Sequence, residues 1–116
     1  MTTLQVVSST ETLTHIALAG RLDVAGVGRV EMDLSRHAAT RRRPAIVDLS
    51  GVDFIGSLGL GMLMSVARAL HLHGAGMVLL TPQDRVAQVL RESHVDQAIP
   101  VASSLDDALR LLGVAL

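Results

Sequence analysis

Three observations predict that this chain of 116 residues folds as one α/β domain around a mostly parallel sheet. Short β-branched and aliphatic runs alternate with longer stretches of helical periodicity, the order expected of strand–helix–strand crossovers. The central run, Ala45 to Leu49 (AIVDL), is apolar almost throughout, which suits a strand covered on both faces. Glycine, proline and capping residues fall between the segments, and no linker, repeat or low-complexity tract separates them.

Leu4 to Val7 and Leu13 to Ala19 read as two short strands joined by the polar connection SSTET. Asp23, at the end of GRLD, is a fair N-cap for a helix reaching about His37, with Gly26 and Gly28 weakening its first turn. Pro44 introduces the AIVDL strand. From about Ser57 to His73 the pattern is helical again, and Gly74 is a suitable stop. MVLLT is a second buried strand. After it Thr81 can cap, Pro82 can take the first helical position, and Asp84 sits where a capping box wants an acid. The helix that follows places Val86, Val89 and Leu90 on one face. AIPV, Ala98 to Val101, reads as a last strand, and Pro100 puts it at a sheet edge. Ser104 and Asp107 repeat the capping pattern before ALRLL. The expected order is β-β-α-β-α-β-α-β-α, a four- to five-stranded sheet packed with about four helices and spanning residues 1–116 as a single domain.

Composition bounds the chemistry. Apolar residues make up 49% of the chain and charged residues 18%, enough apolar material to offset the entropy of folding. The core must be aliphatic, because Phe54 is the only aromatic residue. The absence of cysteine removes disulfides, thiolate nucleophiles and Cys-type zinc sites together. All 10 basic residues are arginine, so neither a Walker-type phosphate loop nor a lysine Schiff base can form. A net charge of -1 and the lack of Trp and Tyr leave no footprint for nucleic acid. Arg41, Arg42 and Arg43 read as a solvated loop leading into a strand. The opening MTTLQVVSSTE lacks the basic start and sustained apolar stretch of a signal peptide, and Leu58 to Ala67 is too short to span a bilayer. The expectation is a cytoplasmic protein without membrane insertion, cofactor or metal.

No catalytic constellation emerges. Gly56, Gly59 and Gly61 run G-x-x-G-x-G, the reverse of the dinucleotide order. A serine-hydrolase elbow needs glycine two residues before Ser57, where Ile55 stands. His71 and His73 diverge on a helix and cannot share a metal. Asp23, Asp48 and Asp53 lie near strand ends with nothing pairing them as acid and base. What remains is a surface. On the helix after Ser57, Leu60, Leu63, Ala67 and Leu70 form one stripe, and Leu58, Met62, Ser65, Ala69 and Leu72 form a second, nearly opposite. Leu58 and Met62 are therefore expected at an exposed first turn, as part of an apolar docking surface.

GRLD, then VDLSGVDFIGSLGLGMLM, then GAGMVLLTPQDRVAQVLRESHVDQAIPVASSLDDAL resemble, in this order, a STAS domain of the anti-sigma factor antagonist type. Asp48, Ser50, Phe54, Ile55, Ser57, Gly59, Leu60 and Gly61 match that family's central motif. The resemblance implies a domain that binds a kinase-type anti-sigma factor through the loop and helix beginning at the motif, and it leaves room for a weak homodimer. The expected partner contacts are Asp23, Gly56, Ser57, Leu58, Gly59, Gly61, Met62 and Ser65. In the family, the anti-sigma factor phosphorylates the serine before the first conserved glycine, which turns the antagonist off. Two positions of the family's D-S-S-G depart here: the acid is Gly56 and the phosphate acceptor is Leu58, which has no hydroxyl. Ser57 matches the first, ordinarily unphosphorylated serine. It is expected to cap the helix, worth about 1 kcal/mol, and is carried as a candidate phosphate site, with Ser50 the other serine of the motif. Two other STAS roles need no such switch, a subunit of a lipid-importing ABC transporter and a scaffold module in a signalling assembly.

Overall fold

The computed structural model describes residues 1–114. Its elements follow the expected order: β1 (Thr3–Ser9), β2 (Thr14–Leu22), α1 (Val24–His37), a 3-10 turn (Ala39–Arg41), β3 (Ala45–Ile55), α2 (Ser57–His71), β4 (Met77–Leu80), α3 (Asp84–Glu92), α4 (Val95–Ala98), β5 (Val101–Ala102) and α5 (Leu105–Leu112). One five-stranded sheet runs β1-β2-β3-β4-β5. β1 pairs antiparallel with β2, and the remaining pairs are parallel.

The apolar run at the start of β3 is explained by what covers it. Ala45, Val47 and Leu49 pack toward the larger core, with Val27, Val30 and Leu34 of α1 and Leu63, Val66 and Leu70 of α2. Ile46 points the other way, into a second cluster with Val78, Ala108 and Leu109. The same alternation divides Met77 and Leu79 from Val78 and Leu80 in β4. The helices α1, α2 and α3 therefore cover one face, while α5 covers the β3–β4 part of the other. Phe54 is in neither cluster, so the core is wholly aliphatic.

Three local expectations need correction. β3 continues to Ile55 rather than ending at Leu49, held by pairing with β2 that shifts register between Ala17 and Ala19 and again between Gly20 and Arg21. Past Leu49 only Val52 and Ile55 are buried, so neither an apolar run nor a two-residue alternation marks the extension. Thr81 does not cap α3. Its backbone is left-handed at φ 46°, and the cap position belongs to Gln83, which makes no side-chain cap bond. Ala98 closes α4 rather than opening a strand, and β5 is only Val101–Ala102. Pro100 still precedes an edge strand, as expected. Ser104 does cap α5, its hydroxyl accepting from the Asp107 amide at 3.1 Å.

Candidate functional site

The candidate surface lies where β2 and β3 deliver the chain into α1 and α2. The two strand ends are in register, Arg21 opposite Phe54 and Leu22 opposite Ile55. The Gly56 amide then donates to the Leu22 carbonyl at 3.1 Å, which holds the two helix starts side by side. Asp23 caps α1 as expected: its carboxylate accepts from the Gly26 amide at 2.8 Å. The other carboxylate oxygen accepts from Arg21 Nε at 3.2 Å. The Gly26 amide bond first, and the Arg21 bond second, hold the Asp23 carboxyl below its usual value of 3.8.

That direction fixes a pH dependence. The depressed carboxyl contributes stability that is complete above the ordinary carboxylate range and is lost as pH falls through the lowered value. Denaturant unfolding between pH 5 and pH 2 is expected to show a shallower acid loss in Asp23→Asn, which keeps a cap but cannot titrate. Identical acid limbs in the two proteins would contradict this role for Asp23.

Gly59 is buried against the strand ends. A Cβ there would stand 2.9 Å from Ile55 Cγ1, 2.9 Å from Leu22 Cβ and 3.0 Å from the Leu22 carbonyl oxygen, so only glycine lets α2 approach β2 and β3 this closely. Gly61 has nothing within 4 Å and faces solvent. Gly56 is the N-cap of α2 in an extended conformation, and no side chain caps that helix. The expected cap from Ser57 is therefore absent. Ser57 is already the first helical residue, one position too late for its hydroxyl to serve as the N-cap acceptor, and it is exposed. Leu58 follows at 51% exposure, as expected.

Met62 is the main correction within the site. It is 4% exposed and belongs to the larger core. The second stripe of α2 does not face solvent along its length, because α1 lies beside it. Met62, Ser65, Val66 and Ala69 line a narrow cleft with Glu31 and Ser35 of α1. Ser65 remains exposed at its rim.

The fold brings here three residues that were not among the expected partner contacts. Val24, the first residue of α1, is 74% exposed, and Phe54 is 39% exposed. The Arg21 guanidinium lies 4.2 Å from the centroid of the Phe54 ring, so the sole aromatic carries a cation–π contact. Strand alternation could have found two of them: if Leu22 and Ile55 point inward, Arg21 and Phe54 point out. Asp48 and Ser50 sit further back on β3. The Ser50 amide donates to Asp48 Oδ1 at 2.8 Å, and Gln83 Nε2 donates to the Ser50 carbonyl at 2.8 Å, which ties this strand to the start of α3. The resulting surface has Val24 and Leu58 as its apolar points and Arg21 and Asp23 as its charged ones.

The family model for the STAS domain matches residues 4–108. BtrV of Bordetella bronchiseptica, which carries the name of an anti-sigma factor antagonist, is 28% identical over 99 residues, 85% of each chain. Among solved structures, a Thermotoga maritima protein described as an anti-sigma factor antagonist superposes with a TM-score of 0.81 at 15% identity, covering 97% of this chain and 94% of that one. The Bacillus cell fate determinant SpoIIAA, solved in its phosphorylated form, superposes with a TM-score of 0.69 at 22% identity, covering 94% and 99%. At these identities the two structures establish a shared fold. Among the described residues, no helix is long and apolar enough to cross a membrane.

Proposed function

The chain belongs to the STAS domain family, and on that premise we propose that it is an anti-sigma factor antagonist without the usual serine switch. It docks a kinase-type anti-sigma factor on the platform formed by Asp23, Val24 and the Gly56–Leu58 turn, and so relieves the inhibition of a sigma factor. One observation carries this reading: at the position the family motif gives to the phosphate acceptor, α2 presents the exposed aliphatic side chain of Leu58. A phosphate there would bring roughly -1.5 to -2 charges onto an apolar contact, and leucine cannot accept one. The partner therefore has no acceptor with which to release itself at this position. Ser57 stands one residue earlier on the helix, so its hydroxyl lies about 100° around the axis from the Leu58 side chain.

The test is to restore the acceptor. Incubated with a kinase-type anti-sigma factor of the same organism and ATP, Leu58→Ser is expected to gain one phosphate by intact mass, while the wild type gains none. Gly56→Asp completes the family motif and fits sterically, because a Cβ at Gly56 comes no closer than 3.4 Å to Phe54. Phosphate on the wild-type chain would overturn the loss of the switch. Failure of both proteins to bind would turn attention to the transporter-subunit or scaffold roles.

A further inference from the structure

A cleft of about 610 Å³ opens outside the carboxyl ends of β4 and β5, at the same end of the parallel sheet as the docking platform but beyond different strands. Its position follows from topology. From β4 the chain enters α3, whose Val86 and Leu90 join the larger core. From the neighbouring β5 it enters α5, whose Ala108 and Leu109 join the cluster on the opposite face. Where adjacent parallel strands send their helices to opposite faces, a crevice is left between the helix starts, and open α/β sheets bind small molecules there. The volume lies within the ordinary range of small-molecule sites. Thr81, held in the left-handed region at φ 46°, forms part of the wall. Its amide is fixed by the Ala102 carbonyl at 2.8 Å. A β-branched residue in that conformation costs energy and persists where the surroundings over-determine it.

The lining selects the ligand. Val101 and Leu111 supply aliphatic surface, 39% and 56% exposed. Beside them Ser103, Asp107 and Arg110 supply the polar groups. Arg110 Nη2 bonds Asp107 Oδ1 at 2.6 Å, which leaves the other guanidinium N–H groups and the second carboxylate oxygen unused by this pair. A simple anion entering here meets Asp107, and a simple cation meets Arg110. A molecule bearing both charges on neighbouring atoms, with an aliphatic remainder, satisfies both.

We propose that this cleft binds a small aliphatic zwitterion, a free amino acid of the leucine type. Its α-carboxylate pairs with Arg110, its α-ammonium with Asp107 and the Ser103 hydroxyl, and its side chain lies against Val101 and Leu111. The site shares no residue with the docking platform and does not depend on the antagonist reading. The probe is L-leucine, titrated calorimetrically into the full chain, with 4-methylpentanoate, isoamylamine and glycine as comparators. Saturable binding is expected for L-leucine alone, and at least a tenfold weakening in Arg110→Gln and in Leu111→Ser. Both substitutions fall on exposed side chains, and unchanged circular dichroism of the variants would show that the fold is intact. An absence of saturable heat with millimolar L-leucine would overturn the proposal. So would equal binding of 4-methylpentanoate, or full retention of leucine binding in both variants.

Discussion

Gly26→Ala is expected to lower stability by about 3 kcal/mol or more, a fall in Tm of more than roughly 10 °C for a domain of this size. The sequence alone ranks Gly26 with Gly28 as two residues that weaken a helix start. The structure separates them. A Cβ on Gly26 would stand 1.8 Å from the Arg21 carbonyl oxygen and 2.6 Å from Thr2 Oγ1, and the first of these is backbone that cannot rotate away. The Thr2 hydroxyl donates to that same carbonyl at 2.7 Å, so the whole corner must move. It is also the corner in which Asp23 accepts from the Gly26 amide, so the start of α1 and the proposed docking platform shift with it. Gly28 has nothing within 4 Å. Gly28→Ala is therefore expected to raise stability by about 0.5–1 kcal/mol, the usual gain from removing glycine inside a helix. Thermal unfolding of the two variants side by side is the check. Melting of Gly26→Ala together with the wild type would contradict the packing described for α1.

The second large effect separates two residues that the sequence treats alike. Leu58→Asp and Met62→Asp are both expected, from helical periodicity, to remove partner binding while sparing the fold. Leu58 is half exposed in the first turn of α2, where an acid is favoured by the helix dipole, so Leu58→Asp should stay within about 0.5 kcal/mol of the wild type. Its effect falls on the partner: a charge replacing a central apolar contact is expected to weaken docking by about 2 kcal/mol, roughly 30-fold. Met62 is buried between α1 and α2, and Met62→Asp places an unpaired carboxylate in an aliphatic core. That should cost about 3–5 kcal/mol. Denaturant titration and partner calorimetry on both variants distinguish the cases. A folded, stable Met62→Asp would show that α1 does not seal this flank of α2.

Much of the fold was legible because the two decisive signals are local. The continuous apolar run at the start of β3 demanded cover on both faces, and helices lie on both. Ser104 and Asp107 announced a cap, and the cap forms. What was not legible depended on neighbours distant in sequence. The burial of Met62 comes from α1, which a helical wheel drawn on α2 alone cannot contain. The left-handed Thr81 is held by Ala102, 21 residues further along the chain, against its own local preference. The length of β3 rests on pairing with β2 through two register shifts, which breaks the alternation that would have announced a strand. At the docking platform the glycines and Leu58 were read from the motif. Arg21 and Phe54 meet there because the ends of β2 and β3 lie in register, and Val24 joins them because α1 starts directly after β2.

The loss of the switch is tested by calorimetry of the wild-type protein against a kinase-type anti-sigma factor of its own organism, with ATP present and intact mass followed in the same samples. Saturable binding is expected to persist through prolonged incubation with no gain in mass, because the exposed residue at position 58 is leucine. Binding that decays as phosphate accumulates on Ser57 would contradict it, since the switch would then have moved by one residue instead of being lost.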